Sequence, residues 1–180
     1  MVNLNVAFAH WSKTLRISGT VKTAKFVIVI GSYKVLIPKE YKNVTSVESE
    51  LVNNSTLKIT CENVFPGWYI WVGLVIHNKG TLPARVKDVN VAIEDLDGIG
   101  DYFNVSNYFY GPYSKGDFIE VWGGVKAEDL PFDNWKEPPI SFDPCQKVIS
   151  WTRISFNTDD PNAMDKTVEI LVSIVDDVDI

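Results

Sequence analysis

The chain has 180 residues, 46% of them hydrophobic and 12% aromatic, and a formal net charge of −6. That is enough apolar material for one packed domain, and it sets aside a wholly disordered chain. The acidic balance, without any basic cluster, sets aside nucleic acid as a partner, and no apolar run approaches the ~20 residues that a membrane-spanning helix needs.

The opening "MVNLNVAFAHW" places Val2, Leu4, Val6 and Phe8 on one side and Asn3, Asn5, Ala7 and Ala9 on the other. Apolar anchors at period two are a strand pattern. The stretch has no Lys or Arg and carries two Asn in its middle, so it reads as a mature start rather than a secretion signal. "TLRISGTVKTA" alternates Leu15, Ile17 and then Val21. "KFVIVIGSYKVLIP" reads as a hairpin turning at Gly31-Ser32, and "NVTSVES" and "STLKITCENV" as two further strands. In "WYIWVGLVIHNKG", Tyr69, Trp71, Gly73, Val75 and His77 face one way and Trp68, Ile70, Val72, Leu74 and Ile76 the other. Such a strand is apolar on both faces and belongs at the centre of a sandwich that also meets something outside.

"ARVKDVNVAIED" sets Val86, Asp88, Asn90 and Ala92 against Val89, Val91 and Ile93. The stretch from Gly98 to Gly116 reads as a long Tyr- and Gly-rich loop, and "DFIEVWGGV" as a strand. A second long loop runs from Ala127 to Gln146, with one short helical turn within "KAEDLPFDNWKEPP". "KVISWTRISFN" and "KTVEILVSIVDD" complete the series. About nine or ten short strands between Gly, Pro, Asn and Asp turns predict an all-β fold, an antiparallel jelly-roll-like β-sandwich. Residues 1–12 form an N-terminal strand and connector, and residues 13–180 a single domain.

Motifs for chemistry are sparse. The two His, His10 and His77, are far apart, and no pattern pairs a nucleophile with a base or specifies an acid and base pair, so an enzyme is not expected. "EDLDGIGD" places Asp95, Asp97 and Asp101 around two glycines. Hard oxygen ligands at short spacing on a tightly bending backbone suit Ca2+, though an acidic turn without metal has the same sequence. Otherwise no cofactor is expected. Cys61 and Cys145 permit one intramolecular disulfide, or are two buried free thiols, and their spacing excludes a redox or zinc motif. Asn43, Asn53, Asn54 and Asn104 begin N-glycosylation sequons, which matter only on a secreted chain. Six Trp raise sugar stacking as an idea, but Trp68, Trp71, Trp122, Trp135 and Trp151 lie mostly in or beside apolar strands, where core or subunit-interface packing explains them.

The opening strand needs a partner. It can fold back as an edge strand of its own sheet, or it can be donated to another copy. No Gly, Pro or Asn lies between Val6 and Ser18, so a tight reversal at Trp11 is poorly provided for, which favours donation. Val2, Leu4, Val6 and Phe8 would then fill one groove, contributing roughly 1.5–3 kcal/mol each before entropy losses. Donor and acceptor are different surfaces, so the contact is heterologous and builds a filament where it does not close a ring.

Two stretches resemble the TasA/camelysin family of secreted biofilm-matrix fibre proteins. "AHWSKTLRISGTVKTA" is similar to that family's mature start, a small-aromatic-Ser segment leading into a TL-x-I-x-G-T-V-x-T-G strand. "NVFPGWYIWVGLVIHNKGTLPARV" is similar to its PG…NxGslpa strand and turn through Pro66-Gly67, Asn78, Gly80, Leu82, Pro83 and Ala84. "DPNAMDKTVEILVSIV" matches its last strand more loosely. Here Ala24 ends the first strand where relatives carry Gly, and Lys13 stands where many carry an acid. The resemblance implies a jelly-roll-like fold and an extracellular, cell-surface filament. Its subunits form a head-to-tail homopolymer by donor-strand complementation, with lateral bundling, as in archaeal bundling pili, and support cell-cell adhesion or biofilm. The alternative reading is a monomeric cell-surface binding or adhesion module that uses the loops around Asp95–Asp101 and Tyr102–Tyr113, with calcium as a candidate ligand.

Overall fold

The computed structural model describes residues 23–94, 99–114, 117, 120–160 and 163–178. Nine strands follow in order: β1 (Ile28–Leu36), β2 (Ser46–Asn53), β3 (Thr56–Val64), β4 (Tyr69–Asn78), β5 (Ala84–Glu94), β6 (Phe103–Tyr113), β7 (Ile140–Phe142), β8 (Lys147–Phe156) and β9 (Lys166–Val178). Short 3-10 turns occupy Gly100–Tyr102 and Ala127–Asp129, the second at the place where the sequence predicts a single helical turn. One sheet has the order β1-β4-β8-β6 and the other β2-β3-β9-β5-β7, and every pairing is antiparallel. From β3 onward each successive strand crosses to the opposite sheet, which makes the sandwich jelly-roll-like, as its alternating sequence predicts.

The inner faces of the sheets enclose the main core. Leu57, Ile59 and Cys61 of β3, Ile70, Val72, Leu74 and Ile76 of β4, and Val168, Ile170 and Val172 of β9 are fully or almost fully buried there, with Trp68 and Phe156. Each set repeats at every second residue, so each strand turns one apolar row inward.

β1 departs from the expected hairpin. It is one strand, with Ile30 opposite Ile76 and Ser32 opposite Val75, so Gly31 is an extra residue. This bulge shifts the side-chain parity by one. Phe26, Ile28 and Ile30 face the core before it and Tyr33, Val35 and Ile37 after it. The same device corrects β5. Lys87 is extra between Val86, opposite Asp176, and Asp88, opposite Val175. Val86, Val89, Val91 and Ile93 therefore all pack on the one core, although simple alternation puts Val86 on the other side.

Two further expectations are overturned. The supposed Tyr- and Gly-rich loop contains β6, whose outer half is exposed and polar and therefore lacks a strong strand signal. "DFIEVWGGV" forms turns through residues 120–124, with Gly124 at φ 69, rather than a strand. Its Val121 and Trp122 are used as packing groups on the outer face of the β1-β4-β8-β6 sheet.

Candidate functional site

The predicted donor residues Val2, Leu4, Val6, Phe8 and Trp11 lie outside the described residues, as do Asp95 and Asp97. Asp101 sits exposed in the first 3-10 turn. Among the described residues, no three or more His, Cys, Asp or Glu gather as metal ligands, and no helix is long and apolar enough to cross a membrane. Asn43, Asn53, Asn54 and Asn104 are all exposed, on a turn, a hairpin tip and the outer part of β6.

The disulfide expectation is corrected. Both cysteines are free, Cys61 in the core and Cys145 exposed on the β7–β8 turn. They are not two buried thiols either. Burial pushes the Cys61 thiol up to about 12, which leaves almost no thiolate to react.

The two flanks of the sandwich differ. On one, β6 is stitched to its surroundings. Asn107 donates from Nδ2 to Asp88 Oδ1 and to the Val89 carbonyl, both at 2.8 Å, and accepts from the Thr152 hydroxyl at 2.7 Å. The Lys136 N–H donates to the Phe109 carbonyl at 2.8 Å, and its Nζ to the Gly111 carbonyl at 2.6 Å. On the other flank, β1 and β2 are, among the described residues, the outer strands of the two sheets. The Ile30 N–H donates to the Asn54 carbonyl in the β2–β3 turn at 2.7 Å, near the start of β1, and the Tyr33 hydroxyl donates to the Ser49 carbonyl of β2 at 3.2 Å, so β1 is tied to the β2–β3 hairpin at two points. Between them Tyr33, Val35, Ile37, Tyr41 and Val47 are only half-buried against the core. On β2, Leu51 and Val52 are 42% and 58% exposed, so this edge presents apolar side chains beside its outward backbone. Val35, Leu36 and Ile37 also line a cleft of about 270 Å³ rimmed by Lys39, Lys42 and Lys126.

The outer face of β4 and β8 forms the second feature. The long insertion between β6 and β7 covers most of it. The Trp151 indole N–H donates to the Val121 carbonyl at 2.9 Å. Trp122 packs on Trp151 at 5.4 Å between ring centroids, and Lys34 lies 4.9 Å over the Trp122 ring while donating to its carbonyl at 2.7 Å. Tyr110 donates to the Phe132 carbonyl at 3.3 Å and accepts from the Phe132 N–H at 3.1 Å, and its burial raises the phenol to about 12. The something outside that the two-faced strand requires is thus supplied by the chain itself.

Where that cover stops, a cleft of about 240 Å³ opens. The sheet contributes Tyr69, Trp71, Tyr108 and Arg153, and the insertion contributes Glu128 and Leu130. The Arg153 guanidinium lies 4.6 Å over the Tyr69 ring, and Trp71 meets Tyr108 at 5.6 Å. Trp135 stands edge-on to Tyr108 at 5.5 Å and is 41% exposed. The Glu128 carboxylate is held below the usual carboxylate range by backbone N–H groups, and it accepts from the Lys39 N–H at 3.4 Å. In sequence, the outward parity of Tyr69 and Trp71 on β4 is readable, but nothing local places Tyr108, Arg153 and Glu128 beside them. Trp68, Trp71 and Trp151 are packing residues, as expected of the tryptophans, whereas Trp135 is not buried.

Comparison with protein-family models, with curated proteins and with solved structures finds no match. Function has to be read from the residues themselves.

Proposed function

We propose that the chain is the structural subunit of an extracellular filament or pilus, assembled head to tail by donation of residues 1–12 of one copy to the sandwich of the next. The observation that carries this reading is the β1/β2 flank. Two strands that are outermost among the described residues border a strip of half-buried apolar side chains there. An added strand would pair with a sheet edge through its backbone and cover Tyr33, Val35 and Ile37 with its alternate side chains. The opening segment, with Val2, Leu4, Val6 and Phe8 at period two, has the pattern for that task. The opposite flank, laced by Asn107 and Lys136, has less to offer a strand. The exposed sequons suit an extracellular chain, and the resemblance to TasA-like fibre proteins points the same way.

The test is to image purified full-length protein and a variant lacking residues 1–9, then add a synthetic peptide of residues 1–12 to the shortened variant. The expected result is filaments from the full chain, monomers from the deletion, and a higher unfolding temperature for the deletion when the peptide is present. Filaments that survive the deletion would sink strand donation. A full-length chain that stays monomeric at high concentration would sink the filament reading and favour the monomeric binding module.

A further inference from the structure

The geometry points to a second site, a binding cleft for a neutral saccharide, formed by Tyr69, Tyr108, Arg153 and Glu128 with Trp135 at its side. It stands on observations independent of the filament reading.

The cleft combines ring surface with charge. Half-buried Tyr69 and Tyr108 supply the accessible aromatic edges, Trp71 is buried beneath them as a packing floor, and Arg153 and Glu128 bring a guanidinium and an ionised carboxylate from opposite sides, sheet and insertion. Trp135 leaves 41% of its surface in solvent, yet it is not loosely placed. Its neighbour Lys136 is fixed to β6 through the Phe109 carbonyl, and its ring rests edge-on against Tyr108. A rigid, exposed indole of this kind presents contact area with little side-chain entropy left to lose on binding.

The position in the fold selects the ligand. The cleft lies over the middle of a sheet face, where the N–H and C=O groups of β4, β8 and β6 are engaged in their ladders. An extended peptide would find no main-chain partners there, and its own polar backbone would go unpaired on desolvation. A pyranose has complementary chemistry. Its C–H faces lie against rings, and its belt of hydroxyls can accept from a guanidinium and donate to a carboxylate. One cation and one anion in the cleft, on a chain of net charge −6, favour a neutral sugar over an acidic one. Two sources share this chemistry: free polysaccharide, and N-linked glycans carried at the exposed Asn43, Asn53, Asn54 or Asn104 of this or another copy.

The test uses full-length unglycosylated protein, titrated with cellohexaose, maltohexaose, chitohexaose and soluble mannan by calorimetry and tryptophan fluorescence. At least one probe is expected to bind and to perturb the indole emission. Trp135→Ala is expected to weaken that binding about tenfold, measured at a temperature where circular dichroism shows the variant fully folded, because the ring also packs on Tyr108 and its loss lowers the unfolding midpoint. Arg153→Gln should weaken it again. Failure of every probe to bind at millimolar concentration overturns the proposal. So does binding that ignores Trp135→Ala, or displacement of the sugar from the cleft by a proline-rich peptide that binds it more tightly. In protein carrying its glycans, a cleft occupied by them would bind the added sugar only after enzymatic deglycosylation. Equal binding before and after would assign the ligand to free polysaccharide, and either result keeps the saccharide site.

Discussion

β4 is buried on both faces, but by different means. Its inner row, Ile70, Val72, Leu74 and Ile76, meets the opposing sheet, where regular strands supply matching rows. Its outer row, Trp71, Gly73 and Val75, meets an irregular insertion whose contribution is a handful of large side chains: Val121, Trp122, Leu130 and Phe132. The inner core is cooperative because many strands share it, and no single residue holds a strand in place. The outer cluster is held by a few large groups and specific hydrogen bonds, so its stability is more local. The difference shows that a strand apolar on both faces does not by itself signal a subunit interface. A long loop of the same chain can cover the second face.

Substitution at the two sides should separate these roles. Trp151→Ala on the outer face removes a fully buried ring and the Trp151–Val121 hydrogen bond, at an expected cost of about 3–5 kcal/mol. Leu74→Ala on the inner face is expected to cost about 2–5 kcal/mol. Chemical denaturation measures both. Limited proteolysis under native conditions tells them apart, since Trp151→Ala should open residues 117–136 to cleavage well below the global transition and Leu74→Ala should not. Equal protection of the insertion in both variants would show that the outer cluster is part of one cooperative unit.

The two-faced β4 is legible in the sequence because period two is a local signal, and Trp68, Ile70, Val72, Leu74 and Ile76 follow it without interruption. β1 and β5 are only half legible. Each carries one extra residue, Gly31 or Lys87, and a single insertion swaps the faces of everything after it. In β1 the Gly-Ser pair at the bulge has the composition of a turn. β6 escapes a sequence reading because Asn104, Val105 and Ser106 are exposed and its inward residues come late in the strand. The aromatic cleft is illegible for a different reason. Tyr108 and Arg153 become near neighbours only through the β6–β8 register, in which Tyr108 pairs with Trp151 and Ser106 with Arg153, and Glu128 reaches them on an irregular turn. Of the β1/β2 flank, the apolar content of "KFVIVIGSYKVLIP" is visible, but not the place of β1 at the side of its sheet.

Gly73 sharpens the comparison at the smallest side chain of the outer row. A Cβ added there would lie 2.6 Å from the Trp151 ring and 2.9 Å from the Trp122 ring. That is closer than carbon atoms approach without displacement, so both indoles would have to shift. Gly73→Ala is expected to destabilise by about 1–3 kcal/mol, the usual range for overpacking, despite the higher strand propensity of Ala. The check is the unfolding free energy of Gly73→Ala alone and combined with Trp122→Ala. If the strain is at the rings, the double variant should lose less than the sum of the two single losses. Strict additivity would place the cost of the added methyl group elsewhere.

The outer row of β4 ends in its titratable member, His77, whereas the inner row has none. Partial burial lowers the His77 pKa from its ordinary value, and Lys147, directly opposite on β8, and Lys79 push it the same way. The folded chain therefore resists a proton that the unfolded chain accepts near pH 6.5. Stability linked to His77 is fully present above that pH and declines as the pH falls through about 6.5 toward the lower folded value. Replacing His77 with Gln should flatten that decline without changing stability in mildly alkaline buffer, as read from unfolding midpoints at about pH 8, 6.5 and 5.5. This is the smallest of the expected effects, since His77 is only half-buried. A His77→Gln variant that loses as much stability on acidification as the parent would move the pH dependence to other groups. Asp176 would not be among them, because a carboxyl raised by burial and by Asp177 makes the folded chain more stable, not less, as the pH falls.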